Sequence, residues 1–182
     1  MGLFLNVLIV KNSTEENVRK TLERMEDSNL DWNLISAKCR YQECHNGVKV
    51  LLSDMCAGYE DMTQKLSKEL MCPVLLCYIY DEDYWGYYFY EKGIELDSFN
   101  PMPDYFEEVS EEKRQRFAGN GRVIAEYFNV EESKIKNYLQ QWSYDILDSM
   151  EGTYAYDGDE FCMGDAWQMA DFMKAIGYPY GW

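Results

Sequence analysis

The chain has 182 residues, with 17 Lys+Arg against 33 Asp+Glu for a formal net charge of −16, a single His, and 47% hydrophobic residues that include 16% aromatics. That length suits one domain with room for a subdomain, and it suffices to bury about 70% of the surface an unfolded chain exposes, which excludes global disorder and any need for disulfide or metal staples. The charge repels phosphate backbones and anionic bilayers at long range, so nucleic acid and membrane surfaces are disfavoured as direct partners.

Residues 3–10 are an apolar run, broken only by Asn6, that predicts a strand buried on both faces. The run has no basic leader and Asn6 interrupts it, so it reads as a strand and not as a signal peptide; Asn6 also stands where a myristoylation signal at Gly2 requires Ser or Thr. Ser13 and Glu16 have capping-box spacing, and Val18, Leu22 and Met25 follow at helical spacing, predicting a helix that ends near Ser28-Asn29. Ile35, Ala37, Cys39 and Tyr41 alternate with polar residues, the period of a strand with one wet face, and Asn46-Gly47 supplies a positive-φ turn into Val48, Val50 and Leu52.

Met62, Leu66 and Leu70 predict a second helix over 59–71, which Cys72-Pro73 terminates because the residue before proline avoids the helical region. Strands are expected over 74–80, 85–90 and 94–99, with turns at Asp81-Glu82-Asp83 and Lys92-Gly93. The predicted class is α+β: an antiparallel or mixed sheet with a ferredoxin-like β-α-β-β-α-β beginning, extended by a hairpin. Pro101 and Pro103 each remove a backbone donor and stop the sheet, so the chain divides into a sheet domain, 1–106, and a helical C-terminal subdomain, 107–182. Helices are expected over 110–117, 122–128, 131–142 and 165–176, with Trp142, Trp167, Phe172 and Met173 in the core.

Chemistry-bearing motifs are sparse. His45 adjoins Cys44, but neighbouring strand residues point to opposite faces, so the two do not form a nucleophile and base. Gly119-Asn120-Gly121 lacks the rest of a phosphate-loop pattern and reads as a joint between helices. Asp157, Asp159 and Glu160 lie within four residues but lack the register of a calcium loop, so they read as an acidic solvated loop. No metal or cofactor is implied. The six cysteines sit mostly inside apolar patterns without C-x-x-C spacing, which predicts reduced thiols and a cytoplasmic protein.

Charge is segregated. Residues 1–80 carry 9 basic and 11 acidic side chains, and residues 81–182 carry 8 and 22. The acidic half also holds Tyr84-Trp85-Gly86-Tyr87-Tyr88-Phe89-Tyr90, whose rings point to both faces of a strand and are expected to pack into the sheet core and beneath the C-terminal helices, or alternatively to stay exposed in part as interface anchors. The stretch D-S-F-N-P-M-P-D-Y-F (97–106) and the segment G-D-A-W-Q-M-A-D-F-M-K-A-I-G-Y-P (164–179) resemble motifs recurring in uncharacterised bacterial proteins of similar length. The resemblance covers about a seventh of the chain and implies a bacterial, cytosolic origin and a shared α+β fold, with no catalytic residue to carry over.

These features point to a non-enzymatic acidic binding module, immunity- or antitoxin-like, that meets a basic protein partner through Asp81, Glu82, Asp83, Trp85, Tyr87, Asp157, Asp159 and Glu160. The alternative is an enzyme or small-ligand binder with carboxylates and tyrosines in a cleft between sheet and helices, using Asp97, Asp104 and Tyr105. A homo-oligomeric module is the third reading.

Overall fold

Apolar runs of period 2 and stripes of period 3.6 alternate along the chain, and they fold into β1 (Leu5–Lys11), α1 (Glu15–Ser28), β2 (Arg40–Cys44), β3 (Gly47–Leu51), α2 (Tyr59–Leu70), β4 (Pro73–Tyr80), β5 (Tyr84–Glu91) and β6 (Ile94–Phe99), followed by α3 (Glu111–Arg116), α4 (Gly121–Phe128), α5 (Tyr144–Met150) and α6 (Gln168–Ala175). This computed structural model describes residues 2–28, 30–53 and 56–182. The protein is α+β, with one antiparallel sheet in the strand order β2-β3-β1-β4-β5-β6. No helix among the described residues is long and apolar enough to cross a membrane. The chain forms two compact units that interleave along the sequence, where a single division between 106 and 107 was expected: one comprises residues 4–78, 88–96 and 182, the other 1–3, 79–87 and 97–181.

The first of these units is aliphatic. β1 and β3 pair so that Leu8 faces Val50 and Val10 faces Val48, and with Val74 and Leu76 these residues meet Val18, Leu22 and Met25 of α1 and Met62 and Leu66 of α2 in one buried cluster. Each such side chain contributes about 1.5–3 kcal/mol when removed from water. Two local expectations are corrected. The cap of α1 is Thr14, whose hydroxyl accepts from the Asn17 N–H at 3.3 Å, while Glu16 pairs with Lys20; Ser13 and Glu16 do not form the expected box. Residues 36–38 are a 3-10 turn and not part of a strand, because the Ser36 N–H and hydroxyl both donate to the Glu26 carboxylate. α1 ends at Ser28, within the expected Ser28-Asn29 boundary, and Asn29 itself lies outside the described residues.

The β2–β3 turn is also one residue earlier than expected. Cys44 pairs with Gly47, so the two loop residues are His45 and Asn46, and Asn46 takes the left-handed conformation at φ 64°. Gly47 serves a different purpose, since a Cβ there would lie 2.3 Å from the Val10 carbonyl oxygen. All six cysteines are free thiols, and Cys39, Cys56, Cys72 and Cys77 are buried. Burial pushes the Cys56 thiol up to about 12 and the Cys72 thiol up to about 11.

The second unit is aromatic. Trp85, Tyr87, Phe99 and Phe172 are fully buried, with Trp85 5.1 Å from Phe99 and 5.0 Å from Phe172, and Tyr87 stacked on Phe172 at 5.6 Å. Of the expected core residues, Trp142, Phe172 and Met173 are buried; Trp167 is only partly buried, lying between Phe161 and Tyr180 near the surface. The helix expected over 131–142 is two 3-10 turns, Glu132–Lys134 and Lys136–Tyr138, because the Tyr156 hydroxyl accepts the Asn137 N–H and the Ala155 carbonyl accepts from the Asn137 amide, both at 3.0 Å. The short helix α5 was not anticipated.

Candidate functional site

Buried phenols and indoles favour a polar partner, and in this unit carboxylates supply it for Tyr87 and Tyr138. The Tyr87 hydroxyl donates to Asp97 at 2.6 Å, and the same carboxylate oxygen accepts the Asn120 N–H at 2.8 Å at the start of α4. The Tyr138 hydroxyl donates to Asp159 at 2.8 Å, whose other oxygen accepts the Tyr156 N–H at 2.9 Å; burial first, and this bond second, raise the Tyr138 pKa. The Trp85 indole N–H donates to Gln168 at 3.2 Å. The Tyr105 hydroxyl donates to Asp83, which pushes that phenol up to about 12.

These bonds reassign several expected site residues. Trp85 and Tyr87 are corrected outright: neither exposes any surface, because both rings pack on Phe172, so neither meets a partner. Asp159 is tied into the fold by two bonds, Glu160 is exposed with Lys174 at 3.9 Å, and Asp157 is exposed. Of the alternative set, Asp97 holds Tyr87 and the start of α4, Asp104 accepts the Val109 N–H at 2.9 Å and pairs with Arg114, and Tyr105 is bonded to Asp83. The Val109 bond first, then Arg114, lowers the Asp104 pKa. Asp157 and Asp159 line a 260 Å³ cavity with Tyr138, Tyr156 and Asp171, away from the groove that Glu82 lines. Among the described residues no group of three or more His, Cys, Asp or Glu is placed to hold a metal ion.

Of the expected carboxylates, Glu82, Asp83, Asp157 and Glu160 are exposed, and the first two lie on the turn between β4 and β5, where aromatic side chains gather. Tyr80 stacks on Tyr84 at 5.5 Å, Tyr105 lies 5.2 Å from Tyr84 and 4.8 Å from Phe106, Phe106 meets Tyr80 edge-on at 5.3 Å, and Tyr144 of α5 lies 6.5 Å from Tyr105. Tyr84 is buried and fixes the base of the cluster, while Phe106 and Tyr144 are 70% and 65% exposed. Phe106 follows the Pro101 and Pro103 stop, so it stands on a loop whose Met102 carbonyl accepts the Tyr105 N–H at 3.0 Å.

The acidic turn is shaped with care. Asp81 and Glu82 both adopt left-handed backbone conformations, at φ 50° and 65°, which costs an L-residue about 1–2 kcal/mol at each position. The Glu82 N–H donates to the Leu3 carbonyl at 3.0 Å, and Gly2 fits so closely that a Cβ would fall 2.3 Å from the Asp81 carbonyl oxygen. Asp83 is then positioned to accept from Tyr105, which links the anionic turn to the aromatic cluster. Sequence reasoning found the turn but missed Phe106 and Tyr144; the signal available was D-Y-F directly after a proline pair, where the backbone cannot enter a sheet. No family model, curated protein or solved structure matches this chain.

Proposed function

We propose that the protein is a non-enzymatic acidic binding module, immunity- or antitoxin-like and of bacterial cytosolic origin, whose Asp81-Glu82-Asp83 turn and Phe106–Tyr144 aromatic cluster meet a basic protein. The observation that carries this reading is the exposure of Phe106 and Tyr144 on a rigid base of packed tyrosines, beside a turn of three carboxylates. Exposed rings on fixed backbones supply contact area at little entropic cost, and a field of one sign accelerates encounter with an oppositely charged surface. The unit that bears the face carries 20 Asp+Glu against 7 Lys+Arg, while the aliphatic unit carries 13 against 10.

The test is affinity purification from native cytosol with the wild-type chain and with Phe106→Ala/Tyr144→Ala, whose thermal midpoint should match wild type because both side chains are exposed. A basic protein recovered in stoichiometric amount by the wild type and lost by the variant is the expected outcome. Its association rate should fall steeply with salt and fall again in Glu82→Lys, which leaves the Asp83–Tyr105 bond in place. Equal recovery by both chains, or an association rate indifferent to salt, rules the face out.

A further inference from the structure

We infer that the groove beside the acidic turn is the seat of an extended basic segment of the partner, one that presents an arginine or lysine next to an apolar side chain. This rests on the reading above, and it names which part of the partner binds where. The groove holds 540 Å³, within the range of about 300–1,000 Å³ typical of ligand sites. Its apolar surface comes from Leu147, Met163, Ala166 and Trp167, and its charges are Glu82, Glu151 and Asp165; no lysine or arginine is among the described residues that line it.

Two features connect the groove with the aromatic face. Glu82 belongs to the left-handed turn that leads into Asp83, the acceptor of the Tyr105 hydroxyl. Leu147 stands three residues after Tyr144 on α5, the spacing that puts two side chains on one side of a helix. A partner touching Tyr144 therefore has the groove within reach along the same helix.

Charge and shape select the occupant. Three carboxylates around an apolar floor match a side chain that is apolar along its stem and cationic at its tip, and arginine and lysine are built that way. Gly152 and Gly164 contribute no side chain to the lining, and a Cβ at Gly164 would sit 3.0 Å from Leu147 Cδ2, so the groove stays open at that point because the residue is glycine. A second copy of this chain is a poor occupant, since it would bring the same surplus of carboxylates against this one.

The probe is an N-acetylated, C-amidated decapeptide of alternating arginine and leucine, with a glutamate-leucine counterpart, measured by isothermal titration calorimetry at 50 mM and 200 mM salt. Wild type should bind the arginine peptide at least tenfold more tightly than the glutamate peptide. Glu151→Gln/Asp165→Asn should weaken it at least fivefold; asparagine at 165 keeps an oxygen to accept the Trp167 N–H, which Asp165 holds at 2.7 Å. Glu23→Gln/Asp27→Asn, on exposed positions of α1 in the aliphatic unit, removes the same charge and should weaken binding less than twofold. Thermal midpoints confirm that each variant folds. Equal weakening by the groove pair and the α1 pair reduces the effect to net charge and overturns the groove. If Phe106→Ala/Tyr144→Ala weakens binding while the groove pair does not, the groove falls and the face stands; if neither differs from the α1 pair, both fall. Spermidine displacing the peptide at equimolar concentration would assign the groove to a polyamine and overturn a protein segment as its occupant.

Discussion

The two units solve the problem of burial by different chemistry. The aliphatic unit packs Leu8, Val10, Val48, Val50 and Val74 against Val18, Leu22, Met25, Met62 and Leu66 of its two helices, and the buried Thr63 and Ser67 hydroxyls on α2 donate to carbonyls of their own helix, so its stability is mainly a matter of area and fit. The aromatic unit buries Trp85, Tyr87 and Tyr138, whose N–H and O–H groups each require an acceptor, and it finds Gln168, Asp97 and Asp159. The lesson concerns the charge. Part of the acidity of that unit is internal scaffolding, so a partner meets chiefly the exposed carboxylates, such as Glu82 and Glu151.

The contrast can be broken most forcefully at Trp85. Trp85→Ala should cost about 3–5 kcal/mol in urea unfolding, through lost burial and the cavity beside Phe172. Trp85→Phe should recover much of that but leave the Gln168 amide without its indole partner, so a variant as stable as wild type would show that the hydrogen bond is dispensable. A smaller loss, about 2–3 kcal/mol, is expected for Asp97→Ala, which strips the acceptor from both the Tyr87 hydroxyl and the Asn120 N–H. Should Asp97→Ala unfold at the wild-type urea concentration, the view of these carboxylates as scaffolding is lost.

The finest discrimination is by pH. Burial raises the pKa of Asp171, against the lowering effect of the Phe161 and Glu160 N–H groups that donate to it. Its folded value lies above the unfolded one, so its contribution to stability is greatest below the ordinary carboxylate range and is lost as pH rises through the raised value. Asp104 is the opposite case: lowered in the folded state, it stabilises above the ordinary range and loses that contribution as pH falls through the lowered value. Relative to wild type, Asp171→Asn should therefore gain stability between pH 3 and pH 7, by no more than about 1 kcal/mol, while Asp104→Asn should lose it over the same interval. Chemical denaturation across that interval reads both signs, and parallel slopes would contradict the assignment.

Elements whose pattern was decided by local chemistry were legible in the sequence. The strand over 94–99 is found as read, and the helix over 59–71 ends within a residue of its proline signal. The strand expected from Ile35 failed because four alternating residues cannot compete with a carboxylate on Glu26 that takes both donors of Ser36. Residues 131–142 failed for a related reason, since donors of Asn137 are claimed by Tyr156 and Ala155 from a distant loop. At the face, the periodicity of β5 placed the rings of residues 84–90 on two sides but held no information about how far each side is covered, and both are: Tyr84 and Tyr90 on one, Trp85, Tyr87 and Phe89 on the other. Trp85 and Tyr87 consequently exchanged roles with Phe106 and Tyr144 as the exposed anchors.

Gly2 has a consequence that reaches beyond its own position. It lies against the backbone of Asp81, and the neighbouring Leu3 carbonyl secures Glu82, although nearly the whole first half of the sequence separates the two sites. Any side chain acquired at position 2 would push the turn out of place. Inheritance at the two positions is therefore joined: related chains that lose the glycine should carry a different turn length or a different set of acids at 81–83, and those that keep the glycine are free to keep the acids.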